Sequence, residues 1–325
     1  MSKVDKDELR KVPYIDYIPL DGRMVFLQPY LDKKDNTFKT FVPQGNKLTW
    51  IYAEPVESCY YAEAVIDKSK DIYLRLIDVI ARQYSFDSVI NTLLGIIRDI
   101  ENCSVVVEKY FVFLDLFRNT EDVSTSNLIT TDLEYFFGNV RSIYDLLQTL
   151  IQDLMRRTSK KKLPNRFSRM IRQNSENLRR KYDLPEALIK YYIDTKDFFV
   201  KCRDIRDSIY HRGLDIQIVF CTEDGFALQK NPLIPNPLTS KFDIWPEEKI
   251  KKNGLVSVLA LISYINKRIL DDLGTFSQVL TQSIQPLPPI SETHKLFFRG
   301  PYIHHLLKSE EYLEKQWVKA TKQTE

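Results

Sequence analysis

The clearest pattern of hydrophobic positions in this chain lies between residues 184 and 212. Apolar or small residues recur there at alternating steps of three and four, which marks one continuous face of a helix: Leu188, Tyr191, Thr195, Phe198, Cys202, Ile205 and Ile209. Asp183 and Glu186 have the spacing of a capping box, and Pro185 suits a first turn. With Gly213 as a terminator, the pattern predicts one helix over 184–212.

A second apolar stripe predicts a neighbouring helix that packs against the first. Its members are Phe136, Val140, Ile143, Leu147, Leu150 and Leu154. Thr131 and Glu134 suggest a capping box at its start, after a connection over 120–130 that is rich in serine and threonine. Polar residues flank the stripe: Asn139, Arg141 and Asp145. They either face solvent or support a site on the neighbouring helix.

The first 66 residues have a different pattern. Short aromatic or β-branched runs alternate with turn-forming pairs, and they predict strands at 14–20, 24–26, 37–42, 48–52 and 59–66. The aromatic residues there, including Trp50, Tyr60 and Tyr61, suit the core of a small sheet. Stacking on bases, a dimer contact and a docking platform are the alternatives.

The remaining segments complete a mainly α fold class, an antiparallel helical bundle with small β additions. The expected domains are a β-rich N-terminal unit at 1–66, a helical extension at 67–125, a helical bundle at 126–276 with a β-hairpin at 214–228, and a proline-rich connection with a C-terminal helix at 277–325. Within these limits, the hairpin turns at Asp224-Gly225, one helix covers 247–273 and the last covers 302–321.

The charge distribution is more informative than the net charge. The chain has 47 Lys and Arg against 44 Asp and Glu, a net charge of +3, which does not by itself indicate a nucleic-acid-binding protein. Between 156 and 181, however, Glu176 is the only acidic residue among eleven basic ones. This run is either a solvated linker or a surface that follows phosphates. On the second interpretation, the RNA-binding candidates are Lys160, Lys161, Lys162, Arg166, Arg169 and Arg172.

Several classes of protein are excluded by the sequence. The four cysteines are far apart, with neither zinc spacing nor the density of a disulfide scaffold. The charged first dozen residues predict no signal peptide, and no apolar run has the length of a membrane helix. There is no glycine-rich phosphate loop, zinc-binding helix or serine elbow. We therefore expect a cytoplasmic protein with no membrane contact, no metal and no cofactor.

The best candidate for chemistry lies at the end of the 184–212 helix, where four residues separate Arg206 from His211. A guanidinium binds phosphate oxygens, and an imidazole moves protons near neutral pH, so the pair suits phosphodiester chemistry without a metal. Asp207, four residues before His211, is placed to orient its ring. The alternative is a capping histidine beside a surface arginine. Arg299 and His304 repeat the spacing across Gly300-Pro301, and we interpret that match as chance.

At Arg206, Asp207 and His211 the chain resembles the HEPN superfamily, whose nucleases carry Arg, a polar residue, a few variable residues and His at the end of a bundle helix. The resemblance covers 126–276. It implies an antiparallel bundle, a homodimer that juxtaposes two motifs, and metal-independent RNA cleavage. In this superfamily, toxins paired with a nucleotidyltransferase antitoxin have a tyrosine two residues after the histidine. Here that position is Gly213, which argues against that form of control.

Three hypotheses about function follow. The first is an endoribonuclease that uses the 2′-hydroxyl of single-stranded or loop RNA, acting as a toxin or phage-defence effector with an antitoxin or regulatory partner. Arg206, Asp207 and His211 would be its catalytic residues. The second is a catalytically silent dimer that binds a nucleotide, RNA or protein. The third is an architectural subunit whose basic segment binds an acidic protein. A homodimer is also favoured by a second apolar stripe on the 184–212 helix: Ile189, Ile193 and Val200.

Overall fold

The computed structural model describes the backbone of residues 16–20, 23–27, 30–32, 37–44, 47–52, 58–62, 64–65, 67–84, 87–158, 161–212, 219–230, 236–286, 295–300 and 302–318. Within these ranges, side chains are described from residue 62 onward, except at 87–88, 157–158, 210–212 and 316–318.

The described chain is mainly helical, as the sequence predicts. Its helices are α1 (Arg75–Gln83), α2 (Asp87–Thr120), α3 (Thr125–Thr158), α4 (Phe167–Met170), α5 (Ser175–Tyr182), α6 (Glu186–Arg212), α7 (Pro237–Lys241), α8 (Val258–Ser283), α9 (His304–Leu307) and α10 (Ser309–Val318). Most of these residues belong to the four long helices α2, α3, α6 and α8.

The strands are short. They are β1 (Asp16–Leu20), β2 (Arg23–Leu27), β3 (Tyr30–Asp32), β4 (Thr37–Gln44), β5 (Lys47–Tyr52), β6 (Ser58–Ala62), β7 (Asp71–Ile72), β8 (Phe220–Thr222), β9 (Gly225–Gln229), β10 (Leu255–Ser257) and β11 (Lys295–Arg299). They form three sheets, in the orders β1-β2, β10-β9-β8 and β5-β4-β3-β6-β11-β7. All pairings are antiparallel except the single parallel pair of β3 with β6.

Strand β11 was not predicted. The sequence predicts only a proline-rich connection and a helix after residue 277. The strand pairs with β6 on one side and with β7 on the other. Leu296, Phe297 and Phe298 are all buried, so the strand has the hydrophobic content that a central position in a sheet requires. The six-stranded sheet therefore joins strands from both ends of the sequence.

The chain folds into two compact units, each assembled from three separate stretches. The first consists of Met1–Arg98, Asp145–Ile193 and Leu273–His304, and the second of Asp99–Tyr144, Asp194–Asp272 and His305–Glu325. Each of the four long helices contributes residues to both units. The domain limits expected from the sequence remain predictions.

Helix α6 buries the predicted apolar stripe, whose first six members are all less than 9% exposed, whereas Ile209 is half-buried. The predicted capping box at its start is wrong. Asp183 instead ends α5 in the left-handed conformation, with φ +56°, which aspartate tolerates better than most residues. Glu186 does not turn back to it, because its carboxylate accepts a hydrogen bond from Arg179 Nη2 at 2.8 Å.

Helix α3 also buries its predicted stripe, but it begins at Thr125, six residues before the predicted cap. Thr131 lies inside the helix, where its hydroxyl donates to the Asn127 carbonyl. The connection is therefore only residues 121–124. It is so short because the Asp122 carboxylate accepts hydrogen bonds from both the backbone N–H and the hydroxyl of Ser124 and closes a tight turn.

The hairpin after α6 has its predicted turn at Asp224-Gly225, and its first strand is described from Phe220. Gly213 and the rest of 213–218 lie outside the described residues. The helix predicted over 247–273 is wrong in its first part. Leu255 and Val256 are buried in β10, beside β9, and α8 begins only at Val258. The helix predicted over 302–321 is divided into α9 and α10.

Candidate nucleic-acid site

A group of charged side chains lies on the last three turns of α6. The helix is fixed by its core face, where Cys202 and Ile205 are buried. Because successive residues of a helix are rotated by about 100°, Arg203, Arg206 and Asp207 lie off that face, and all three are partly exposed.

Asp207 is the centre of the group. Its Oδ1 accepts a hydrogen bond from Arg141 Nη1 at 2.8 Å and a second from Arg206 Nη1 at 3.2 Å. Arg203 Nε lies 3.8 Å from the other carboxylate oxygen. Arginines from two helices, α3 and α6, are therefore held around one carboxylate, which fixes their guanidinium groups close together.

Asp204, one turn earlier, extends the group. It accepts a hydrogen bond from Arg203 Nη2 at 2.6 Å, and Lys241 of α7 lies 3.4 Å from its second oxygen. Partial burial acts to raise the pKa of Asp204. The hydrogen bond and charge of Arg203, together with those of Lys241, outweigh it, so the net pKa lies below the usual value.

We call these six side chains the arginine cluster: Arg141, Arg203, Asp204, Arg206, Asp207 and Lys241. Four cations and two carboxylates leave the cluster a formal charge of +2 at neutral pH. Its side chains are accessible, from 16% exposed at Arg203 to 44% at Lys241. A partly desolvated, positively charged patch of this kind favours an anion, and guanidinium groups favour phosphate.

His211, the remaining residue of the predicted motif, lies in the last turn of α6, but its side chain is outside the described residues. The predicted contact between His211 and Asp207 therefore remains a prediction. The Oδ1 atom of Asp207 accepts hydrogen bonds from two arginines of the cluster, which are contacts that the sequence analysis did not predict.

Arg141 is one of the three flanking residues of α3 that the sequence predicted either to face solvent or to support the site. It lies on the flank of the α3 stripe, next to the buried Val140, and only the packing of α3 against α6 reveals its partner. The other two flanking residues have different surroundings. Asn139 is buried, and Asp145 accepts a hydrogen bond from the backbone N–H of Phe167 at the start of α4.

The basic segment is solvent-facing where it is described. Five of the six predicted RNA-binding residues are exposed: Lys161, Lys162, Arg166, Arg169 and Arg172. The sixth, Lys160, lies outside the described residues. Farther along, Arg179 binds Glu186 and Arg180 binds Glu176, both exposed pairs. These five exposed residues lie within 161–172, which belongs to the first compact unit, whereas the arginine cluster belongs to the second.

Two further observations limit the chemistry within the described residues. No group of three or more His, Cys, Asp or Glu side chains there is arranged to hold a metal ion. Cys103 and Cys202 are fully buried, and burial raises the pKa of both thiols, so neither of these cysteines is a nucleophile at neutral pH.

Among the described helices, none has the length and apolarity to cross a membrane.

Comparison of the chain with models of known protein families, with characterised proteins and with solved structures finds no significant match.

Proposed function

We propose that this protein is a metal-independent endoribonuclease of the HEPN kind. The observation that carries the proposal is the placement of Arg206, which lies partly exposed in a cluster of net positive charge on the same helix as His211. By contrast, the second Arg and His pair of the sequence has its arginine in a buried ion pair, since Arg299 binds Asp71 through two hydrogen bonds of 2.7 and 2.9 Å.

In the proposed reaction, the 2′-oxygen of a ribose attacks the adjacent phosphorus while the bond from phosphorus to the 5′-oxygen of the next nucleotide breaks. The attacking hydroxyl gives up its proton and the leaving oxygen takes one up, and His211 serves one of these transfers. Arg206 stabilises the additional negative charge on the phosphorane-like transition state. The products carry 2′,3′-cyclic phosphate and 5′-hydroxyl ends.

A homodimer belongs to the same proposal, because one motif supplies one imidazole and the reaction involves two proton transfers. Of the stripe on which the dimer was predicted, Ile189 is buried within its own chain, Val200 is half-buried and Ile193 is 49% exposed. Only part of that stripe is thus available to a partner. Light scattering at micromolar concentration tests this component, and a monomer that cleaves RNA would exclude it.

The central experiment is incubation of the purified protein with a mixed-sequence RNA in excess EDTA. Cleavage is expected to continue, and its products should resist ligation through a 3′-hydroxyl until the terminal phosphate has been opened and removed. His211→Ala and Arg206→Ala should each lower the rate by roughly 10² to 10⁴ fold. His304→Ala is the matched control and should cleave like the wild type. If both motif variants cleave as fast as the wild type, the proposed site is wrong.

A second candidate function is a binding module without turnover. It is favoured by the two guanidinium groups around Asp207 Oδ1, which can hold a phosphate whether or not His211 takes part. A wild-type protein that binds RNA through Arg206 but never cleaves it would select this alternative.

A further inference from the structure

Arg141 and Asp207 together suggest a more specific function for the arginine cluster. We infer that Arg141 of α3 and Arg206 of α6 form a two-guanidinium clamp for a single backbone phosphate of a nucleic acid, and that Asp207 is the counter-ion that positions both arginines. The inference adds Arg141 to the site and rests on the proposed function only for the identity of the anion as a nucleic-acid phosphate.

The geometry of the shared carboxylate is the first argument. The Nη1 atoms of Arg141 and Arg206 both lie within 3.2 Å of Asp207 Oδ1. Two cations at such a separation repel each other, and the carboxylate offsets that repulsion. Each guanidinium has five N–H donors in a fixed plane. A guanidinium can hold a carboxylate through one N–H and a phosphate oxygen through another, so the bond to Asp207 is compatible with donation to one of the two non-bridging oxygens of a phosphodiester.

Accessibility is the second argument. The side chain of Arg141 is 20% exposed and that of Asp207 37%, so a ligand can reach the clamp although most of each arginine is shielded from water. Partial shielding strengthens a charged hydrogen bond relative to one at a fully exposed position. The surrounding charges also favour an anion, because Arg203 and Lys241 more than offset the remaining carboxylate, Asp204.

A purely structural role is the alternative for Arg141, since one arginine could simply tie α3 to α6. That role predicts a loss of stability in Arg141→Ala and no effect on ligand affinity. The clamp predicts that Arg141→Ala binds the ligand more weakly and that its binding depends less on salt concentration. It also predicts an effect of opposite sign at Asp207, because removing the carboxylate charge leaves the arginines more attractive to a phosphate.

The test uses a fluorescein-labelled 2′-O-methyl oligouridine, which cannot be cleaved by 2′-hydroxyl attack, so anisotropy measures binding alone. Arg141→Ala should weaken binding about tenfold. It should also reduce the slope of log K against log salt by up to about 0.7, the value of one whole single-strand phosphate contact, because Arg206 remains on the same phosphate. Arg141→Lys keeps the positive charge but loses the planar guanidinium group with its several N–H donors, so it should recover only part of the affinity. Asp207→Asn should tighten binding about fourfold, as expected for removal of a like charge at about 5 Å in water.

Arg118→Ala is the matched control. It removes the same side chain from the same compact unit, where Arg118 donates a hydrogen bond to the Glu223 carbonyl and lies 3.8 Å from Asp115, and it should leave both affinity and salt slope unchanged. Thermal melts show whether Arg141→Ala folds. If it does not, Arg141→Lys provides the measurement.

The outcomes separate this inference from the proposed function. If the wild type does not bind the oligonucleotide at low salt, or if Arg141→Ala and Arg141→Lys bind as the wild type does, the clamp is refuted. An Asp207→Asn variant that binds more weakly would also overturn the counter-ion role. If the clamp variants behave as expected but ordinary RNA is never cut, the clamp stands and the nuclease proposal fails.

Discussion

Replacing Arg299 with alanine should strongly destabilise the first compact unit. Arg299 of β11 and Asp71 of β7 are directly opposite each other in the antiparallel pair. Two parallel hydrogen bonds join them, from Nε to Oδ1 at 2.7 Å and from Nη2 to Oδ2 at 2.9 Å. The Asp71 side chain is 0% exposed and that of Arg299 17%. The variant would therefore leave a carboxylate enclosed by protein without its cation.

Breaking a buried pair by removing one partner costs about 3–5 kcal/mol. The lower half of that range is expected here, because the backbone N–H of Asp67 also donates to Asp71 at 2.8 Å and would remain. Urea denaturation followed by far-UV circular dichroism measures the free energy of unfolding. Lys201→Ala is the control, since its ion pair with Asp197 is exposed and such pairs contribute less than about 1 kcal/mol.

The double variant Asp71→Asn, Arg299→Met tests whether the loss of stability comes from a buried charge without its partner. It removes both charges, so it should be more stable than Arg299→Ala alone. A loss below about 1 kcal/mol in Arg299→Ala, the magnitude of a surface pair, would show that Asp71 is not buried as described. It would also remove the structural explanation for this arginine.

Three further predictions concern other parts of the chain. Gly225→Ala should cost about 1–3 kcal/mol in urea denaturation, because Gly225 has φ +128° and an added Cβ would lie 2.2 Å from the Tyr110 hydroxyl; an unchanged midpoint would contradict this. Burial raises the pKa of Asp272 above the usual 3.8 despite the Tyr144 hydrogen bond and the Arg268 charge. The folded state then holds this proton more tightly than the unfolded chain, so the wild type loses stability as pH rises from 3.8 through the raised pKa. Thermal melts at increasing pH should therefore show a smaller loss of melting temperature in Asp272→Asn than in the wild type. Parallel curves of melting temperature against pH for the two proteins would refute the prediction. Replacing Lys161 and Lys162 with alanine should reduce the salt slope of RNA binding by up to roughly 0.7 per lost contact, whereas an unchanged slope would make the segment a solvated linker.

The helical core could be predicted from the sequence because it depends on local periodicity. The stripes of α3 and α6 follow from steps of three and four along each helix, and every predicted member is buried except Ile209. Helix ends were less predictable. The pairs Asp183 with Glu186 and Thr131 with Glu134 both have the spacing of a cap, but neither caps the helix for which it was predicted. Spacing does not show which of several polar groups the backbone uses.

Features that depend on distant segments could not be predicted. Strand β11 acquires its partners β6 and β7 from residues more than 200 positions earlier, and a run of three apolar residues after a proline-rich stretch gives no local sign of them. The same limit applied to β10, which pairs with β9 across a connection that contains α7. Arg141 is the equivalent case in the candidate site, since its partner Asp207 is 66 residues away.

The two Arg and His matches show how structure separates equal sequence signals. Both place four residues between the arginine and the histidine, yet the two arginines have opposite surroundings. Arg299 donates two hydrogen bonds to the buried Asp71 carboxylate, whose negative charge compensates its own positive charge. Arg206 shares its carboxylate with Arg141, and with Arg203 nearby the positive charge around Asp207 exceeds the negative. A phosphate would have to displace the buried Asp71 to reach Arg299, whereas Arg206 is partly exposed beside two other arginines. The proposed function therefore uses the first match and not the second.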